Sequence, residues 1–195
     1  CVFGTPLALS AAQPSAPAQR APVKAAPPSA APLCNPKAAQ TGSRAKRLSA
    51  FEDVLAHDGR AAIKAFDCGN GYLLVKSGDA RAVALAVKLL RFSDGAGTAH
   101  LYDALATAMT KHPENVLGHF REVPRAAVPQ FCVPFLPSSM SQRTAFNALK
   151  RSDDALSHVT RPDLQEAKAA CVREVKAMET KYVVPPKKSQ AKKAV

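Results

Sequence analysis

The sequence predicts an all-α fold, an irregular multi-helix bundle or short α-superhelix of about six to eight helices. Three observations carry that expectation. Leu164, Ala167, Cys171, Val175, Met178 and Tyr182 recur at three- and four-residue spacing, the period of one helical face. Start and stop residues break the chain every sixteen to twenty residues, at Asp58-Gly59, Gly78-Asp79, Asp94-Gly95 and His112-Pro113. No segment alternates apolar and polar residues between hairpin turns, as a half-buried strand would.

Taken in order, Ser49 and Glu52 form a capping-box pattern that starts the first helix, which stops near Asp58-Gly59. RAAIKAF (60–66) continues as a short helix, and CGNGYLLVKSGD (68–79) carries a glycine corner and a short apolar turn. In DARAVALAVKLLRFSDG (79–95), Asp79 is the candidate N-cap, and Arg81, Lys88 and Arg91 form one narrow polar stripe. The remainder is almost all Val, Leu and Ala, which predicts that this helix is the buried centre of the domain. Residues 98–113 place Leu101, Leu105, Ala108 and Met109 on one face, with His100, Asp103, Thr107 and Lys111 on the other. Pro113 then opens a short helix, a position where its missing N–H costs nothing. Over 141–159, Phe146, Leu149, Leu156 and Val159 line one side. These segments do not align with one another, so no internal repeat is read.

VPQFCVPFLP (128–137) interrupts this pattern with prolines at 129, 134 and 137. They forbid a central strand and disfavour a helix. The expectation is an extended, Pro-rich apolar strap lying across the helices, with Phe131, Val133, Phe135 and Leu136 buried beneath it. Cys132 in the strap and Cys171 on the last helix both fall on apolar faces, which points to a Cys132–Cys171 disulfide in an oxidising compartment. The rival reading is two separate buried thiols. Cys34 falls in a linker and Cys68 at a helix junction. No Cys/His spacing matches a metal site, and no cofactor motif is present.

Domain boundaries follow composition. Residues 1–50 hold eight of the sixteen prolines, fourteen alanines and no acidic residue. That mixture offers too few bulky apolar side chains to offset the entropy of ordering. Residues 13–45 therefore read as a disordered Ala/Pro-rich linker, 46–182 as a single helical domain and 183–195 as a disordered basic tail. Residues 1–12 resemble the back half of a secretory signal, with small residues at Ser10 and Ala12. The alternatives are a lipoprotein start with Cys1 as lipid anchor, or simply an apolar start to a cytoplasmic chain. The first two readings export the protein, to the bacterial periplasm or beyond.

The net charge of +12 divides unevenly: +6 in residues 1–50, +4 in the last thirteen and +2 in 51–182. A near-neutral domain with no tryptophan, no basic helix face and no aromatic platform argues against specific nucleic-acid recognition. Basic tails alone suit weak attraction to an anionic surface or polymer.

Chemistry-bearing residues are sparse. Asp153 and Asp154 are adjacent, so on a helix they point about 100 degrees apart and cannot act as paired acids. His112 and His119 are separated by a helix start. Ser138, Ser139 and Ser141 lack a nucleophile-elbow context. Gly69-Asn70-Gly71 and Gly95-Ala96-Gly97 lack the strand-then-helix setting of a phosphate loop. No catalytic or cofactor-binding residue is assigned. The leading expectation is an exported, non-enzymatic helical protein that binds another protein or an envelope polymer. Tyr72, His100 and Tyr102 are its candidate surface contacts. An enzyme with an unrecognised all-α site and a basic-tailed, non-specific nucleic-acid binder are the alternatives.

Overall fold

The first helix begins earlier than the Ser49–Glu52 pattern predicts. In the structure, a computed structural model that describes Cys34 and residues 43–182, helix α1 spans Arg44–His57. Ser43 caps it, its hydroxyl accepting from the Lys46 N–H at 3.3 Å. Nothing between Arg44 and Ser49 breaks a helix, and Leu48 joins Phe51 and Val54 on the buried face. Ser49 and Glu52 instead lie inside α1 and together hold Arg81 of a later helix. Arg44, Lys46 and Arg47 all belong to α1, so residues 44–182 carry a net charge of +5, where residues 51–182 alone carry +2. The expected signal remnant (1–12) with Cys1, the linker apart from Cys34 and residues 43–45, and the tail 183–195 lie outside the described residues.

Asp58 ends α1 and caps α2 (Gly59–Cys68), its carboxylate accepting from Arg60 and Ala61 N–H groups at 2.9 and 3.0 Å. Helix α3 (Gly71–Lys76) follows at a sharp corner where Asn70 takes a left-handed φ of 56°. Asp79 caps α4 (Ala80–Leu89) as its position predicts, accepting from Arg81 and Ala82 N–H groups at 3.1 Å. Then come α5 (Gly95–Met109) and the one-turn α6 (Pro113–Leu117). After two 3-10 turns, α7 (Val128–Cys132) leads through an extended stretch to α8 (Gln142–Ser157) and α9 (Gln165–Lys181). The fold is all-α, with nine α-helices and no strand among the described residues. Three of the nine, α3, α6 and α7, have only five or six residues, too short to carry a periodic signal.

Helices α1 to α4 pack on one another, while α9 packs on α7 and α8. Helix α5 is common to both groups and touches α3, α4, α6, α7 and α8. Helix α4 is heavily buried, as its composition predicts, but the element shared by the two groups is α5. Leu101, Ala104, Leu105, Ala106, Ala108 and Met109 of α5 are all fully buried. Because α5 faces neighbours on several sides, small residues fill most of its circumference, and its backbone approaches them closely.

The strap expectation needs correcting in its first half. Val128–Cys132 is a short helix, since Pro129 sits in its first turn, where its absent N–H has no helical acceptor to lose. Only Val133–Pro137 is free of helix. Phe131 and Cys132 are fully buried and Val133 and Leu136 partly so, but Phe135 is 64% exposed, against the expected burial. Phe135 lines a cleft that is open at the surface, so most of its ring stays in solvent.

Candidate functional site

Three elements converge on one apolar cleft of about 570 Å³. Helix α5 contributes Ala99, Tyr102 and Asp103 to one wall. Helix α7 contributes Pro129 and Gln130, and the extended stretch after it contributes Val133, Pro134, Phe135 and Leu136. The last two turns of α9 supply the third wall, with Glu174, Ala177, Met178 and Lys181 at i, i+3, i+4 and i+7 on one face, and Tyr182 beyond. These α9 residues continue the inward stripe of Ala167, Cys171 and Val175. Beyond Val175 the stripe stops being covered, and Met178 and Tyr182 are only partly buried.

The Cys132–Cys171 bridge ties two of these walls together, with Cα atoms 5.0 Å apart and both residues fully buried. This is the bridge the two apolar positions predict. It fixes the end of α7, and so the residues that follow it, against the middle of α9. A second bridge, Cys34–Cys68, joins the segment before α1 to the last residue of α2. Sequence reasoning placed Cys34 in a linker, because its Ala/Pro-rich surroundings carry no mark of a partner 34 residues away.

Polar groups at the cleft are few. Asp103 is held by Lys76 of α3, whose ammonium donates to its carboxylate at 2.6 Å. Glu174 and Lys181 make no ion pair among the described residues. Tyr102, expected on the surface, is 8% exposed and forms part of the wall. Burial pushes its hydroxyl pKa up. Tyr72 and His100 do come together, their rings meeting edge-on at 5.6 Å across the α3–α5 contact. Tyr72 also meets Phe66 edge-on at 5.3 Å, and Phe66 meets Phe51 at 5.2 Å. The row runs from the core to exposed His100, so Tyr72 serves as its partly buried link. Thus the three candidate contacts do not form one patch.

No group of three or more potential metal ligands occurs among the described residues. His119 pairs with Glu122 at 2.6 Å, and the His112 ring lies against Gly78, so the two histidines face different surroundings. Asp153 is paired with Lys176, while Asp154 is exposed. Ser141 caps α8, its hydroxyl accepting from the Thr144 N–H at 3.2 Å. What the cleft can do chemically is exclude water from apolar side chains presented to it. Asp103 and Glu174 are the two carboxylates of its lining, and Lys76 holds the first of them.

No protein-family model, curated protein or solved structure matches this chain.

Sequence reasoning named Tyr102 but missed the cleft. The usable signal was the apolar Phe135-Leu136 pair between two prolines, together with Met178 and Tyr182 continuing a buried stripe. Neither fact alone locates a cleft, because its walls come from residues about 30 to 80 positions apart in the chain.

Proposed function

We propose that this chain is an exported, non-enzymatic binding protein whose α5–α7–α9 cleft receives apolar side chains of a protein partner. The observation that carries the reading is the cleft itself: an apolar trough edged by a largely exposed phenylalanine and anchored by a buried disulfide. Apolar concavities with a few polar groups at the rim are the usual form of a binding site. Rigid walls also keep down the entropic cost of association. A hydrated anionic polymer offers little for Phe135, Leu136 and Met178 to bury, so a protein is the favoured partner. Two disulfides support export, because such bridges form and persist in oxidising compartments. No helix among the described residues is long and apolar enough to cross a membrane.

Site-directed photo-crosslinking tests the reading. A benzophenone side chain is placed at Phe135 and, as a control, at Phe92, which is also exposed but lies against Gly59 and does not line the cleft. The expected result is a protein adduct at 135 only, suppressed by excess unlabelled chain and not by excess Met178→Glu chain. Equal crosslinking at both positions, or none at 135, rejects the cleft as the binding surface.

A further inference from the structure

The two disulfides differ in their access to solvent. Cys132 and Cys171 are completely buried, whereas Cys34 and Cys68 are both exposed. In thiol–disulfide exchange a thiolate must reach one of the two sulfurs, so burial blocks the reaction until the structure opens. The buried bridge sits between α7 and α9, beside fully buried Phe131 and Val175. The exposed bridge sits at the last residue of α2, with exposed Asp67 just before it and exposed Asn70 two residues after it.

The end of α2 is also held by contacts that do not need the bridge. Ala62, Ala65 and Phe66 are buried in the core, and the Arg47 guanidinium of α1 donates to the Gly69 carbonyl at 2.7 Å. We propose that Cys34–Cys68 is a thiol-exchangeable tether, opened by an external dithiol while Cys132–Cys171 stays closed and the helices stay folded. The dithiol's thiolate attacks one sulfur of the bridge and expels the other as a thiolate, which takes up a proton. Its second thiol then resolves the mixed disulfide. Cys34 and Cys68 end as two thiols, and the dithiol ends as its own disulfide. The redox state of the surroundings thereby sets whether the chain before Ser43 is fastened to the end of α2.

The test uses the full oxidised chain, treated under native conditions with dithiothreitol for increasing times. Free thiols are trapped with iodoacetamide, the remaining bridges are reduced and labelled with a second reagent, and each cysteine peptide is quantified by mass spectrometry. Cys34 and Cys68 are expected to take the first label about tenfold or more faster than Cys132 and Cys171. The helical signal in far-ultraviolet circular dichroism should persist at that stage. Equal rates for the two bridges overturn the proposal, as does loss of helix on opening Cys34–Cys68. In strong denaturant the rates should converge. A difference that survives there means burial does not set the selectivity, and also overturns it.

Discussion

The ring of fully buried Phe66 occupies the space in which a β-carbon on Gly71 would lie. Gly71 opens α3, and its missing side chain lets that helix turn tightly under α2. Gly71→Ala therefore forces either the Phe66 ring or the corner to move, at an expected cost of about 1–3 kcal/mol. Gly97 is the internal control, since a β-carbon there would meet nothing closer than Ile63 at 3.8 Å. Gly97→Ala should be neutral or stabilising by up to roughly 1 kcal/mol, because it removes backbone freedom from a helical position. Urea unfolding midpoints of the two variants should move in opposite directions or leave Gly97→Ala unmoved.

That corner shows how far the sequence could be read. Gly69-Asn70-Gly71 was legible as a turn, but the need for glycine at 71 comes from a ring five residues earlier. The α9 stripe and the Asp79 cap were legible because one side chain and its near neighbours decide them. The Ser49–Glu52 pattern misled because the same residues serve a contact with Arg81, 29 residues away from Glu52. Helix α7 was hidden because proline discourages helices everywhere except the first turn, and nothing local says where a first turn falls. Cys34–Cys68 and the cleft depend on distant segments meeting, which periodicity does not encode.

Glu179 is a nearly buried carboxylate shared by two lysines, Lys176 at 3.2 Å and Lys150 at 3.4 Å. Hydrogen bonds from Lys176 to Asp153 first and Glu179 second hold that ammonium above its ordinary range. The cluster joins the end of α9 to α8. Removing one partner of a fully buried pair costs about 3–5 kcal/mol, but here the lysine side chains are 49% and 47% exposed and stay solvated. Glu179→Gln is expected to cost about 1–2 kcal/mol, read as a lower urea midpoint. An unchanged midpoint would show that water replaces the carboxylate at no cost.

Cys132–Cys171 closes a sequence separation of 39 residues. On the chain-entropy account, a cross-link of that length stabilises the fold by about 3–4 kcal/mol through the unfolded state. Replacing both cysteines with alanine is expected to lower stability by about that amount, with the loss carried mainly by faster unfolding wherever α7 docks late. Equilibrium and kinetic unfolding in urea measure both quantities. A change below roughly 1 kcal/mol would mean that packing of Phe131 and Val175 holds α7 on α9 without the bridge.

Tyr72 makes alkaline stability a readout of the aromatic row. Burial first, and the negative charge of Asp67 second, push its hydroxyl up to about 12. An unfolded tyrosine loses its proton near pH ~10, so between there and about pH 12 the unfolded chain releases a proton that the folded chain keeps. The fold's preference for neutral Tyr72 is fully present below the unfolded value and is lost as pH rises through the folded one. Burial shifts Tyr102 in the same direction, so the two tyrosines add to one alkaline loss. Tyr72→Phe keeps a ring for Phe66 and His100 to meet but removes the titrating group. Its stability should fall less steeply than that of the parent above pH ~10, and tyrosinate absorbance should lose its latest-titrating component. If parent and variant lose stability in parallel, Tyr72 does not titrate as a buried group, and the row ends at Phe66.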